Sequence, residues 1–190
     1  MDVGIITNPN SKKNYRRPQR RRALEQAVGR YGAVVETRSL DELPRAIRAL
    51  REGGCRYYVC DGGDGTLHWV LNTLFHDVAR TTPPGEDARL PIVVPTNGGT
   101  VDFVARKAGL KGDADSIVRR LVGRLERGET IPTIKVNTCR LVGTPIDQVP
   151  ADRTQEPGFD RIGLASALGG VAQAFFDRFY QLPKERGALA

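Results

Sequence analysis

The first 130 residues alternate short apolar runs with longer segments in which apolar and polar positions recur at helical spacing. The apolar runs are Val3–Thr7 (VGIIT), 33–38 (AVVETR), 56–60 (RYYVC) and 90–95 (LPIVVP). Runs this short, bounded by turn residues, indicate buried strands rather than helices. Strands that are apolar along their whole length are typical of parallel sheets covered on both faces.

The segments between these runs indicate helices over residues 18–31, 42–52, 66–76, 99–108 and 113–127. Asp41 is the predicted N-cap of the second helix, and Gly53-Gly54 is its predicted end. The alternation predicts an α/β fold, with a parallel sheet and helices on both faces. The loops that follow its strands should meet at one edge, where such sheets bind ligands.

The pattern changes after residue 130. Residues 130–143 (TIPTIKVNTCRLVG) favour extended structure, and residues 144–157 favour a loop. Residues 161–180 favour a strand that turns at Gly169-Gly170 into a helix. We therefore expect an α/β domain over 1–130 and, over 131–190, the start of a β-rich domain that is not completed. Unpaired β edges in such a unit predict aggregation or a homodimer.

Residues 62–66 (GGDGT) follow the third predicted strand and open the third predicted helix. Gly62 and Gly63 permit a tight turn and let an anion approach the main chain. The N–H groups at the start of the helix attract phosphate. A simple capping turn is the alternative, but Asp64 would repel phosphate unless it handles a metal ion or a proton. The segment therefore favours binding of a phosphate donor.

A second glycine-rich turn, Thr96–Thr100 (TNGGT), follows the fourth predicted strand. Asp102, in the first turn of the next predicted helix, either stabilises the helix start or contacts a substrate or metal. Residues 8–11 (NPNS) follow the first strand and are a weaker signal, because an Asx turn explains them equally well. A P-loop motif and a dinucleotide fingerprint are both absent from the sequence.

The net charge is +7, and residues 12–22 (KKNYRRPQRRR) carry much of the positive charge. This run is either a solvated helix start or a segment that attracts anionic lipid or nucleotide phosphate. Nucleic acid is disfavoured, because the sequence carries no helix-turn-helix or RNA-recognition signature. Cys55, Cys60 and Cys139 form no CxxC, which favours reduced thiols in a cytoplasmic protein.

Several segments together resemble the diacylglycerol kinase catalytic-domain family, which includes diacylglycerol, sphingosine and bacterial lipid kinases. They are VGIITNPNS (3–11), Thr37 in VVETRS, YYVCDGGDGTLHWVLN (57–72), VPTNGGTVDFVARKAGL (94–110) and RIGLASALGGVAQAFFDRFY (161–180). GGDGT followed by LxxVLN is the most specific part. The resemblance implies a kinase that uses ATP and Mg²⁺ to phosphorylate the hydroxyl of a diacylglycerol-like or sphingoid lipid.

The resemblance also implies roles for particular residues. Nucleotide-binding positions would be Asn8, Asn10, Ser11, Thr37, Gly63, Asp64, Gly65, Thr66, Gly99 and Thr100. Asp64 would be the catalytic carboxylate, and Asp64 and Asp102 would belong to the metal network. The sequence departs from the family pattern in three places: Lys12 stands where a glycine is usual, Asp102 where an asparagine is usual, and His68-Trp69 where bacterial members commonly have Asn-Glu.

Two other functions remain open at this point. One is a related kinase that acts on NAD, which shares the GGDG motif, and the other is a nucleotide-binding module without catalysis. The general base is either Asp64 or a downstream residue. In the lipid-kinase interpretation, the basic segment would bring a cytoplasmic protein to an anionic membrane surface as a peripheral protein.

Overall fold

The computed structural model describes residues 1–143, residues 158–164 and residue 178. Its centre is a four-stranded parallel sheet in the order β2-β1-β3-β4. The strands are β1 (Val3–Thr7), β2 (Gly32–Glu36), β3 (Tyr57–Asp61) and β4 (Ile92–Pro95). Thr7 is in register with both Glu36 and Asp61, so the carboxyl ends of the three strands lie side by side.

Six helices accompany the strands within residues 1–143. They are α1 (Lys12–Tyr15), α2 (Arg20–Val28), α3 (Leu43–Glu52), α4 (Asp64–Thr81), α5 (Phe103–Lys107) and α6 (Ala114–Glu126). Short 3₁₀ turns, Gly29–Tyr31 and Leu40–Glu42, stand before and after β2. The order of strands and helices confirms the predicted α/β fold with a parallel sheet.

The two faces of the sheet are covered by different helices. Ile5 and Val59 belong to a buried cluster with residues of α2 and α6. Ile6 and Cys60, one position along each strand, belong to a second cluster with residues of α3 and α4. Successive side chains of a strand point to opposite faces, so strands that are apolar throughout need helices on both sides. The same burial raises the pKa of the Cys60 thiol, which favours its neutral form.

Some helix boundaries differ from the predicted ones. The helix predicted over 18–31 begins only at Arg20, and α1 is a separate short helix before Pro18. Proline disfavours helical geometry in the residue before it, which accounts for the break. Asp41 is not an N-cap, because it lies inside a 3₁₀ turn and α3 begins at Leu43 with Pro44 in its first turn.

Two further boundaries also differ from the predicted ones, each for a local reason. The helix predicted to end at His76 continues to Thr81, where the hydroxyl groups of Thr81 and Thr82 donate to carbonyls of the last turn. The helix predicted from Gly99 begins only at Phe103. Asp102 has a φ of 52°, in the left-handed region, so a helix cannot pass through it.

A second, antiparallel sheet is formed by β5 (Cys139–Gly143) and β6 (Phe159–Gly163). The buried side chain of Asn72, on α4, holds β6 in place. Its Nδ2 donates to Ile162 O (2.9 Å), and its Oδ1 accepts from Ile162 N (2.8 Å). Only residues 139–143 of the segment predicted to be extended form a strand. The predicted loop at 144–157 and the predicted helix after Gly169-Gly170 lie outside the described residues.

Candidate functional site

Three turns meet at the carboxyl edge of the parallel sheet, as the alternating pattern predicts. They follow β1 (residues 8–11), β3 (residues 62–66) and β4 (residues 96–100). Asn8 N donates to Asp61 O (3.0 Å), and Gly98 N donates to Gly62 O (3.1 Å). Lys13 N donates to Gly98 O (3.1 Å), which brings α1 against the third turn. The three turns therefore form one continuous surface.

The glycines of the second and third turns face one another. A Cβ at Gly99 would lie 2.5 Å from Gly63 Cα, and a Cβ at Gly98 would lie 2.8 Å from Gly62 Cα. A Cβ at Gly63 would likewise lie 2.8 Å from Gly99 Cα, so the two turns approach this closely only because Gly63, Gly98 and Gly99 carry no side chain. Gly65 differs, because a Cβ there would meet nothing within 4 Å.

The start of α4 is arranged to attract an anion. Gly63 is its N-cap and has no side chain to accept from the helix. The first N–H groups of a helix have no partner within the helix, and the helix dipole makes this end positive. Gly65 is exposed beside these groups, and α4 is 18 residues long. An anion in front of Gly65 would find donors and open space.

Three predicted nucleotide-binding side chains meet beside this helix start. Asn8 Nδ2 donates to Thr66 Oγ1 (3.0 Å), and Ser11 Oγ lies 3.3 Å from the same hydroxyl. Asn8 also forms an Asx turn, because its Oδ1 accepts from Asn10 N (2.9 Å). Residues 8–11 therefore form the Asx turn and also contact the GGDGT turn.

The remaining predicted positions lie on either side of this cluster. Asn10 Nδ2 donates to Arg38 O (3.1 Å), which ties the first turn to the residues after β2. Thr37 is buried, and its N–H donates to Thr7 O (3.0 Å). Thr100 is exposed at the end of the third turn, while Gly99 is buried.

Asp64 connects the GGDGT turn to α5. Its Oδ2 accepts from Phe103 N (2.9 Å), and its Oδ1 accepts from Val104 N (3.1 Å). A carboxylate at the start of a helix is favourable, because it satisfies free N–H groups and complements the dipole. Asp64 is only partly buried, so its oxygens remain within reach of a bound group.

Asp102 is almost completely buried and paired with a cation. Its Oδ1 accepts from Gly99 N (2.7 Å), and its Oδ2 forms an ion pair with Lys13 Nζ (2.7 Å). Lys13 Nζ also donates to Asn97 O (2.7 Å). These contacts hold the third turn against α1, and they stabilise the left-handed conformation of Asp102.

Asp61, the last residue of β3, was not predicted as part of the site. Its carboxylate is fully buried and accepts from Thr7 Oγ1 (2.7 Å), Asn14 Nδ2 (3.1 Å), Arg20 Nε (2.9 Å) and Thr96 Oγ1 (3.2 Å). Burial alone lowers the pKa of Arg20, but the hydrogen bond and charge of Asp61 outweigh it, so the guanidinium stays charged. An aspartate that ends an apolar strand is a sequence signal for such a buried pair.

A basic cavity of about 400 Å³ adjoins the third turn. Its cationic lining residues are Lys13, Arg16, Arg17, Arg20 and Arg106. Arg17 lies 3.4 Å from Asp113, while Lys13 and Arg20 have the partners given above. Arg16 and Arg106 have no ion-pair partner in the described part of the chain. The cavity therefore carries an excess of positive charge.

The fold and the paired glycine turns define an α/β protein whose parallel sheet has a glycine-rich edge at the start of α4. The sequence profile of the diacylglycerol kinase catalytic domain matches residues 2–133. The chain therefore belongs to the diacylglycerol kinase catalytic-domain family.

Among solved structures, the chain is similar to one described as a "putative diacylglycerol kinase from Bacillus anthracis str. Sterne". The TM-score is 0.47 and the identity is 17%, over 65% of this chain and 42% of that chain. The chain thus matches less than half of the length of that protein. A comparison with curated proteins gives no match.

No cluster of three or more His, Cys, Asp and Glu side chains suited to a metal ion occurs among residues 1–143 and 158–164. Within the same described ranges, no helix combines the length and the apolar composition that a membrane span requires.

Proposed function

We propose that the protein is an ATP-dependent lipid kinase, which transfers the γ-phosphate to the hydroxyl of a diacylglycerol-like or sphingoid lipid. The observation that carries this proposal is the pair of interlocked glycine turns, within a catalytic domain of this family. They leave the start of α4 open in front of Gly65. Phosphoryl transfer depends mainly on positioning and on neutralising charge, which such an edge can supply.

The proposed nucleotide site follows the turns. Its phosphates would lie against residues 63–66 and against Gly99 and Thr100. The cluster of Asn8, Ser11 and Thr66 offers hydroxyl and amide groups beside them. Asn10 and Thr37 would line the side of the site nearest β2. The side chain of Asn10 donates to Arg38 O, and Thr37 N donates to Thr7 O. The open space at Gly65 fits a bulky anion, because no side chain of the described residues occupies it.

Asp64 fits a role with Mg²⁺ better than Asp102 does. Mg²⁺ prefers carboxylate oxygens and phosphate oxygens as ligands. Each oxygen of Asp64 accepts one backbone N–H and retains a lone pair, whereas Asp102 is already neutralised by Lys13. A bound Mg²⁺ would supply charge neutralisation at the phosphates. Asp64 is also our candidate for orienting the acceptor hydroxyl.

The protein would reach its lipid substrate by binding to a membrane surface. The basic cavity and the segment 12–22 place cations next to the third turn. Each Lys or Arg close to an anionic leaflet contributes about 1 kcal/mol to binding. We therefore propose a cytoplasmic protein that binds anionic membranes peripherally.

One observation favours a second candidate function, a nucleotide-binding module without catalysis. Both oxygens of Asp64 already cap α5, which is a sufficient structural reason for the residue. In that case ATP would bind, but no phosphate would be transferred.

The test is transfer of labelled phosphate from MgATP to vesicles that contain diacylglycerol or sphingosine, with NAD as a third acceptor. Asp64→Asn is compared with Asp41→Asn, an exposed carboxylate in a 3₁₀ turn. The lipid-kinase proposal expects lipid labelling that Asp64→Asn abolishes and Asp41→Asn retains. ATP binding without labelling would support the second candidate, and labelled NAD alone would indicate the related kinase. Absence of ATP binding would overturn both proposals.

A further inference from the structure

Two large apolar side chains are exposed directly after the third turn, beside the candidate site. The relative exposure of Val101 is 59%, and that of Phe103 is 47%. They flank Asp102, whose relative exposure is 2%. We call Val101 and Phe103 the apolar tip.

The apolar tip is held outward by the residue between its members. Asp102 is in the left-handed region, with its carboxylate turned inward to Gly99 N and Lys13 Nζ. Phe103 N is fixed by Asp64 Oδ2 (2.9 Å). The exposure of the tip therefore results from a set of strong contacts.

Cations lie on one side of the apolar tip, around Phe103 and in the adjoining cavity. Lys107 Nζ lies 5.8 Å from the centroid of the Phe103 ring. Arg106, on the same helix, lines the basic cavity together with Lys13 and Arg16. Apolar side chains rimmed by Lys and Arg suit an anionic bilayer, because apolar groups enter the acyl boundary while the cations stay among the headgroups. A protein partner at this place would need both an apolar patch and acidic groups to complement the same side chains.

We propose that the apolar tip inserts into the apolar layer of an anionic bilayer. This inference rests on the proposed function and extends it, because it names the part of the chain that enters the membrane. The hydrogen bonds from Phe103 N and Val104 N to Asp64 connect the tip directly to the GGDGT turn. Insertion would therefore bring the phosphate-binding edge to the lipid surface with its carboxylate already in place.

The experiment measures binding to vesicles in the absence of nucleotide. Vesicles of phosphatidylglycerol and phosphatidylcholine are compared with vesicles of phosphatidylcholine alone, by co-sedimentation. The variant is Val101→Ser/Phe103→Ser. The matched control is Leu90→Ser, whose side chain is 38% exposed and precedes β4 at the opposite edge of the sheet. Melting temperatures establish that both variants are folded.

The expected result is binding of the wild type to the anionic vesicles that is weakened about tenfold in the double variant, from the loss of apolar burial. Leu90→Ser should bind like the wild type. In addition, the fluorescence of Phe103→Trp, in a Trp69→Phe background, should be quenched by lipids brominated along the acyl chain.

Equal binding of the wild type and the double variant, or no binding by the wild type, would overturn the inference. A change of oligomeric state in the double variant, with vesicle binding unchanged, would also overturn it and would assign the tip to a second copy of the chain. A failure of ATP to bind would count against the proposed function but would leave the vesicle result standing.

Discussion

The buried ion pair between Arg20 and Asp61 gives the sharpest test of how the site is held together. Arg20→Met removes the guanidinium and keeps an apolar stem of similar shape. The carboxylate of Asp61 is 0% exposed, so it cannot turn to water. It would keep three neutral donors, from Thr7, Asn14 and Thr96, but no cation.

The size of the effect follows from this burial. Removal of one partner from a buried ion pair costs about 3–5 kcal/mol, because an unpaired charge is left in the interior. In a chain of this length, each kcal/mol lowers the melting temperature by about 2–4 °C, so we expect a loss of about 6–20 °C. Asp61→Asn should cost less, because the Arg20 guanidinium borders the basic cavity and can take up water there.

The assay is equilibrium unfolding in urea and a thermal melt at pH 7. The matched control is Arg21→Met, one residue along α2, which breaks an exposed ion pair with Glu25. Such pairs contribute less than about 1 kcal/mol. The double variant Arg20→Met/Asp61→Leu should recover part of the loss, because it leaves no unpaired charge. If Arg20→Met costs no more than Arg21→Met, the ion pair does not organise this edge.

Other predictions address the turns, the second sheet and pH. Gly99→Ala should lower both the melting temperature and ATP affinity, because a Cβ there would lie 2.5 Å from the facing turn. Gly65→Ala should weaken ATP binding by calorimetry but leave the melting temperature unchanged or higher, because alanine favours helix by up to about 1 kcal/mol. Asn72→Ala should strand the N–H and C=O of Ile162, at about 1–3 kcal/mol each, and speed hydrogen exchange there. Burial lowers the pKa of His68 in the folded chain. The unfolded chain therefore binds the proton more readily, and the free energy of unfolding should decrease as the pH falls below about 6.5. His68→Gln should flatten that dependence in urea unfolding at pH 7.5 and 5.5.

The fold could be predicted because its main signals are local. Each strand is a short apolar run that ends at turn residues. The parallel direction of the strands follows from the helices that connect the runs. The GGDGT segment was recognisable for the same reason, since the turn and the helix start are contiguous in sequence. The reason for its first two glycines was only partly predicted. We expected them to admit an anion, and the structure shows in addition that Gly63 admits the backbone of Gly99 and that Gly62 admits the side chain of Thr66.

Contacts between distant segments could not be predicted in this way. The basic run 12–22 was interpreted as solvated or as a lipid-binding segment, yet Arg20 within it is buried against Asp61. Lys13 is likewise paired with Asp102, far along the chain. Charge density in a sequence does not show which cations have partners in the fold. Asp61 itself carried a signal, because a carboxylate at the end of an apolar strand has to find a partner.

These pairings decide which carboxylate of the edge can serve a phosphate site. Asp61, Asp64 and Asp102 all lie there, and three negative charges would repel the phosphates of a nucleotide. Arg20 neutralises Asp61, and Lys13 neutralises Asp102. Asp64 alone of the three has no cationic partner among the described residues, and it is held in place only by backbone N–H groups. The negative charge of Asp64 therefore has no counter-charge within the described residues, and a bound cation could balance it. For this reason we propose Asp64, before Asp61 or Asp102, as the residue that contacts Mg²⁺.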